Sequence, residues 1–280
     1  MKKIILSLAT AAASLLLSSC FQNETTIHLN KDGSGKLVEE TRLGAQMLGM
    51  LDQMAALGGG GADAPDPLKE MFSEAKAKKR AANLGEGVTF EKSETVDGPT
   101  GKGARVTYQF KDINTLSIST EDSMKQVSSL SPMGEAQVAA APKSDPLKFS
   151  YADGKLSIKM PEPKVDPAAA DAPAGEAGAE EMADLENPQA QEMMKQMFAD
   201  MKMSIRLVVE PGIAETNASH QDDKTITLME MNMGKLMENA DNMKKLSKVD
   251  QKNPAAAMEA LRNIPGVKFE TQKEVTITVK

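Results

Sequence analysis

Val267-Lys268-Phe269-Glu270-Thr271-Gln272-Lys273-Glu274-Val275-Thr276-Ile277-Thr278-Val279 is the stretch on which the fold class turns. Val267, Phe269, Val275, Ile277 and Val279 carry odd numbers, and Lys268, Glu270, Gln272, Glu274, Thr276 and Thr278 carry even ones. Side chains of a strand alternate between its two faces, so this pattern predicts a strand with one buried and one wet face. Half-wet strands belong to antiparallel sheets, because a parallel sheet is covered on both sides.

The same period recurs upstream. Thr26-Ile27-His28-Leu29-Asn30 alternates, Asp32-Gly33-Ser34-Gly35 supplies turn chemistry, and the strand returns over Lys36 to Leu43, which reads as a hairpin. Val88 and Phe90 mark one strand, Asp97-Gly98 belongs to a turn, and Ala104, Val106, Tyr108 and Phe110 share one face of the next. Leu147, Phe149 and Tyr151, then Asp153-Gly154, then Leu156, Ile158 and Met160 make a third hairpin, and Met203, Ile205, Leu207 and Val209 another half-buried strand.

Helices are fewer. Asn187-Pro188 and Asn253-Pro254 each pair an N-cap with a proline at the first helical position. The first leads into Met193, Met194, Met197, Phe198 and Met201, a stripe at three- and four-residue spacing; the second leads to Met258, Leu261 and Ile264. Pro67 to Leu84 and Leu43 to Leu57 are further candidates. Residues 161–186 are rich in Pro, Ala and Glu with almost nothing to bury, and read as a disordered linker or insertion. The expected fold is α+β: a largely antiparallel, curved or barrel-like sheet of about eight strands packed on three or four helices. Residues 20–160 and 187–280 supply its two halves.

The N-terminus carries an address. Lys2 and Lys3 precede an uncharged run from Ile4 to Leu17, too short to span a bilayer but suited to a signal-peptide core. Leu17-Ser18-Ser19-Cys20 follows, an aliphatic residue, two small ones and a cysteine, which resembles the lipobox of bacterial lipoproteins. Residues 1–19 are then the leader, cleavage falls between Ser19 and Cys20, and the Cys20 thiol takes the lipid. Two or three acyl chains exceed the threshold for stable anchoring. By resemblance to lipoprotein sorting rules, Phe21 in place of an aspartate favours an outer membrane where the organism has one.

Cys20 is the one cysteine, so lipidation leaves no thiol for disulfides, nucleophilic chemistry or thiolate metal sites. Of 33 basic residues, Lys2 and Lys3 leave with the leader, so 31 face 40 acids, a net charge of −9. That balance argues against nucleic-acid partners and against clamping onto anionic headgroups. His28 sits on the exposed phase of a strand, and His220 stands near Asp222 and Asp223 in what reads as a polar turn. No common catalytic or nucleotide-binding motif occurs, and no cofactor is implied. Methionine, at 20 residues, replaces aromatics as filler. Met229, Met231 and Met233 alternate and should project from one side of a strand, either as core or, with Phe269 and Ile277, as the lining of an apolar pocket. A thioether site for copper(I) is the alternative.

Several segments together resemble the LppM-type bacterial lipoprotein domain: the strand and turn of Thr26–Lys36, the Phe110-Lys111-Asp112 strand end, and Leu207 to Gly212 followed by Asn217 and the strand Lys224–Leu228. The resemblance implies a mixed α/β, barrel-like domain whose apolar interior could admit a lipid, and carries over no catalytic residue. The family's aromatic residue after the last of these strands is absent here. The functional expectation is a non-catalytic, membrane-anchored envelope lipoprotein that binds an apolar or amphipathic ligand or a protein partner. A purely structural scaffold is the alternative. A binder should enclose a cavity on the order of 300 Å3 or more.

Overall fold

A computed structural model describes residues 21–57, 69, 71–98, 101–119, 145–161, 201–239, 242 and 264–280. The leader, Cys20, nearly all of the 161–186 insertion, Met193 to Phe198 and the helix expected after Asn253-Pro254 lie outside the described residues.

Within them the chain is built on strands. β1 (Phe21–Leu29) and β2 (Gly35–Leu43) form the first hairpin, with Phe21 opposite Leu43 and Leu29 opposite Gly35. Helices α1 (Ala45–Leu57) and α2 (Glu74–Leu84) precede the hairpin β3 (Thr89–Gly98) and β4 (Gly101–Phe110). A 3-10 turn over Ile113–Thr115 leads to β5 (Ser117–Ile118), then β6 (Leu147–Ala152) and β7 (Lys155–Lys159). β8 (Lys202–Val209), β9 (Ile213–Thr216), β10 (Gln221–Asp222) and β11 (Thr225–Asn232) follow, then α3 (Met233–Met237), β12 (Val267–Phe269) and β13 (Glu274–Val279).

The strands sort into two sheets. The larger runs β10-β11-β8-β1-β2-β4-β3, with β12 also paired to β11; the smaller runs β5-β6-β7-β13-β9. β1 and β8 are parallel, and all the other paired strands are antiparallel. Residues on both sides of the 161–186 insertion contribute to each sheet. One cluster of buried side chains draws on both: Ile27, Leu37, Tyr108, Leu207 and Ile226 from the larger, Phe149, Leu156, Ile158, Val275 and Ile277 from the smaller.

This overturns the α+β expectation. Among the described residues the fold is mostly β, neither sheet closes into a barrel, and the helices are short. A half-wet sheet must bury its apolar face against something. The alternation shows that face but not its partner, which is chiefly a second sheet. β5, β9 and β10 span two to four residues, too few for any periodicity to register. Of the helical candidates, α1 forms nearly as expected, and the end of Pro67 to Leu84 forms α2 over Glu74–Leu84.

The hairpin turns follow their chemistry. Asp32 Oδ1 accepts from Ser34 N at 3.0 Å and Ser34 Oγ at 2.6 Å, and those two bonds hold the Asp32 carboxyl below its ordinary range. Asp153 and Gly154 take positive φ of 50° and 73°, the backbone that a two-residue hairpin turn requires.

The closing stretch is two strands rather than one. Val267, Val275, Ile277 and Val279 are buried and Phe269 is half-buried, as the odd phase predicts. Glu270 breaks the even phase and is buried, because there the chain leaves the larger sheet for the smaller. Its carboxylate accepts from Ser219 N (2.9 Å), Ser219 Oγ (2.7 Å), Thr271 N (2.7 Å) and Gln272 N (2.9 Å). Those donors satisfy a buried charge and fix the corner.

Candidate functional site

The first described residue of β1, Phe21, turns its side chain inward. Phe21 is 1% exposed and packs with Leu43, its cross-strand neighbour. Around this pair lie Met47, Leu48 and Leu51 of α1, with Met71 and Met201, all half-buried. The helix places the first three together because residues three and four apart share a face. The cluster is separate from the main core: between them the inward face of β1 and β2 carries buried Asn23, Thr25, Glu39 and Thr41. Asn23 Nδ2 donates to Thr41 Oγ1 at 3.2 Å.

Beside this belt α2 is clamped to β2. Arg80 donates Nη2 and Nε to Glu39 Oε1, at 3.0 and 3.3 Å. Tyr108 of β4 lies buried next to the pair. Burial, then the Glu39 charge, pushes its phenol far above the ordinary tyrosine range, so it stays protonated. Met71, Phe72, Lys76, Ala77, Val106, Tyr108 and Arg80 surround a hollow of about 180 Å3. A second hollow of about 230 Å3 lies among Gln22, Glu24, Glu40 and Arg42. Both volumes fall short of what a drug-sized apolar ligand fills.

The outward face of the larger sheet is a ladder of paired charges. Glu24 and Glu40 stand directly opposite each other on β1 and β2, a repulsive placement taken alone. Arg42 and Arg105 reach Glu40 at 2.6 Å each, and Lys202 reaches Glu24 at 2.9 Å. Arg206 spans Glu24 at 3.8 Å and Glu230 at 3.1 Å. Burial pushes the Glu40 carboxyl up, but its hydrogen bonds from Arg42 and Arg105 outweigh that and hold it below the usual carboxylate range. Glu230 behaves alike, with Arg206 overcoming the cost of burial.

The sequence-predicted residues do not converge on one cavity. Met229 pairs opposite Ile205 and Phe269 and packs on the main core; Met231 lies opposite Met203 and Val267. β11 ends at Asn232, whose side chain caps α3, so Met233 opens a helix instead of continuing the array. Met233 and Phe269 belong to a small cluster with Leu236, Ile264 and Val267. Ile277 sits in the other sheet, between Leu156 and Thr216. The strand period aligns Met229 with Met231, but Asn232 as a helix cap decides Met233. Both imidazoles are engaged structurally: His28 Nδ1 lies 2.8 Å from Glu210 Oε1, and His220 Nε2 lies 3.2 Å from the Phe269 carbonyl. Sequence reasoning missed the Glu39–Arg80 pair. Glu39 on the inward phase of β2 is the one signal that could have found it, since a carboxylate there demands a cation.

No protein-family model matches the chain, and no curated protein matches it. Among solved structures, the NMR structure of the folded domain of LppM from Mycobacterium tuberculosis is similar over 78% of this chain and 85% of that one, at 8% identity and a TM-score of 0.28. That is a weak fold resemblance, and it assigns no residue a role. Among the described residues no helix is long and apolar enough to cross a membrane.

Proposed function

We propose that the chain is a lipid-anchored envelope lipoprotein, exported by residues 1–19 and held to a membrane through acyl chains on Cys20, outer in organisms that have one. The observation that carries this reading is the order of features along the N-terminal sequence: Lys2 and Lys3, an uncharged run from Ile4 to Leu17, then Leu17-Ser18-Ser19-Cys20.

The body of the domain is non-catalytic in this reading and presents surface to a protein partner rather than enclosing a lipid. What supports this is the filling of the interior. Ile277, Val275, Leu156 and Ile158 meet Leu37, Ile27 and Leu207 in one buried cluster, and the two hollows are small. The test is metabolic labelling with a palmitate analogue. The wild-type chain should incorporate label and lose 19 residues, and Cys20→Ala should do neither. Equal labelling of both would refute the anchor. Native mass spectrometry of the acylated protein separates the two modes of binding: a co-purifying lipid beyond the Cys20 adduct would favour the enclosed-ligand alternative.

A further inference from the structure

Resting on the lipoprotein reading above, we infer that the half-buried apolar cluster at the start of β1 is a membrane-seating surface: Met47, Leu48 and Leu51 of α1, with Met71 and Met201, lie against the bilayer that holds the acyl chains. Phe21 is 1% exposed and paired along β1 with both β2 and β8 from Gln22 onward. Successive Cα atoms are about 3.8 Å apart. An acylated Cys20 therefore has no slack between its lipid and the folded domain, and the headgroup plane must meet this end of the molecule.

What stands at that end suits the contact. Phe21 and Leu43 are sealed, and the five apolar side chains around them are all partly exposed, so partly exposed apolar residues outnumber buried ones here, the reverse of the main core. α1 contains one charge, Asp52, in 13 residues. Gly49 on its exposed side has nothing within 4 Å of the position a Cβ would take. Three cations nearby are matched by acids, Lys202 with Glu24, Arg42 with Glu40 and Lys102 with Asp97. The contact is therefore apolar insertion at the interface, which needs no anionic lipid and is insensitive to salt. Acyl chains on Cys20 supply the main affinity, and the cluster fixes the orientation of the domain on the surface.

The chain contains no Trp, so single tryptophans give clean probes. Gly49→Trp and Leu51→Trp report the proposed contact, and Lys31→Trp, in the turn at the far end of the β1–β2 hairpin, is the control. The eight residue steps of β1 place that turn on the order of 26 Å away. The mature acylated protein is reconstituted into vesicles of phosphatidylcholine brominated on its chains. Gly49→Trp and Leu51→Trp should lose most of their emission at any salt concentration, and Lys31→Trp should keep it. Protein that floats with the vesicles while all three probes stay bright overturns the seating and leaves the anchor standing. Protein that carries no acyl mass and does not float refutes the anchor itself. A Leu51→Trp emission that is blue-shifted before vesicles are added and unquenched afterwards means that the chain's own residues cover the cluster, which also overturns the proposal. Gly49→Trp points into open space, so it keeps the test valid should Leu51→Trp disturb packing.

Discussion

At Gly35 a methyl group would sit 1.9 Å from the carbonyl oxygen of His28 and 2.6 Å from Phe110 Cζ. Neither neighbour can yield, since one is backbone and the other belongs to the buried core. Gly35→Ala should therefore cost more than about 2 kcal/mol in urea unfolding, the range of overpacked sites. The Glu39–Arg80 pair predicts a different pattern. Arg80→Met strands a buried carboxylate and should cost ~3–5 kcal/mol. Adding Glu39→Gln to it removes the charge and should recover much of that loss, a coupling that a double-mutant cycle reads directly. Simple additivity would show that the two side chains do not act as a pair. In β13 the contrast lies between neighbours. Ile277, 1% exposed, should cost ~2–4 kcal/mol on truncation to Ala, whereas the exposed Thr276 should cost under about 1 kcal/mol.

Among the elements, the charge ladder on the larger sheet gives a pH dependence. Glu40 and Glu230 have folded carboxyls held below their ordinary range. Each therefore stabilises the fold fully above the unfolded glutamate value near about 4.3, and that stabilisation drains away as pH falls below it toward the depressed folded values. Urea midpoints measured from pH 7 down to pH 3 should fall over that window, and Glu40→Gln should flatten part of the fall. An unchanged slope in that variant would remove Glu40 from the account. Elements also mark what could be read beforehand. Strand phase was legible wherever four or more alternating residues ran together, as in β1, β4, β8 and β13. The switch at Glu270 was not, because a carboxylate between apolar strands looks like another wet-face residue until Ser219 and two backbone amides turn up around it. Pairing was hidden for a related reason: alternation gives each strand a face but no partner, so the parallel contact of β1 with β8, across 170 and more residues of chain, leaves no local trace. The apolar cluster of Phe21, Leu43 and Met201 was not legible, since those residues come together only through such pairings.

For the whole molecule, one shared core implies one unfolding event. Tyr108 belongs to the larger sheet and Tyr151 to the smaller, and they are the only tyrosines. Fluorescence of Tyr108→Phe and of Tyr151→Phe thus reports each sheet separately. Allowing for any stability change of the variants, each probe's transition should coincide with that of backbone circular dichroism. Separated transitions would mean that the sheets are independent units. Deleting Val165 to Ala183, by contrast, should leave the melting temperature nearly unchanged, because that composition offers little apolar area to any core. A loss on the order of 3 kcal/mol would show that it packs.

The place of β13 in the smaller sheet also governs timing. It lies in the interior of that sheet, hydrogen-bonded to β7 on one side and β9 on the other. Until residues 274–279 have emerged, β9 has no neighbour in its sheet and β7 has only β6. A ribosome delivers those residues after the strands they join. The smaller sheet thus stays incomplete until β13 arrives to join β7 to β9. The same order makes the fold slow to finish, since Glu274 pairs with Lys159 and Thr278 with Lys155 across more than a hundred residues of chain.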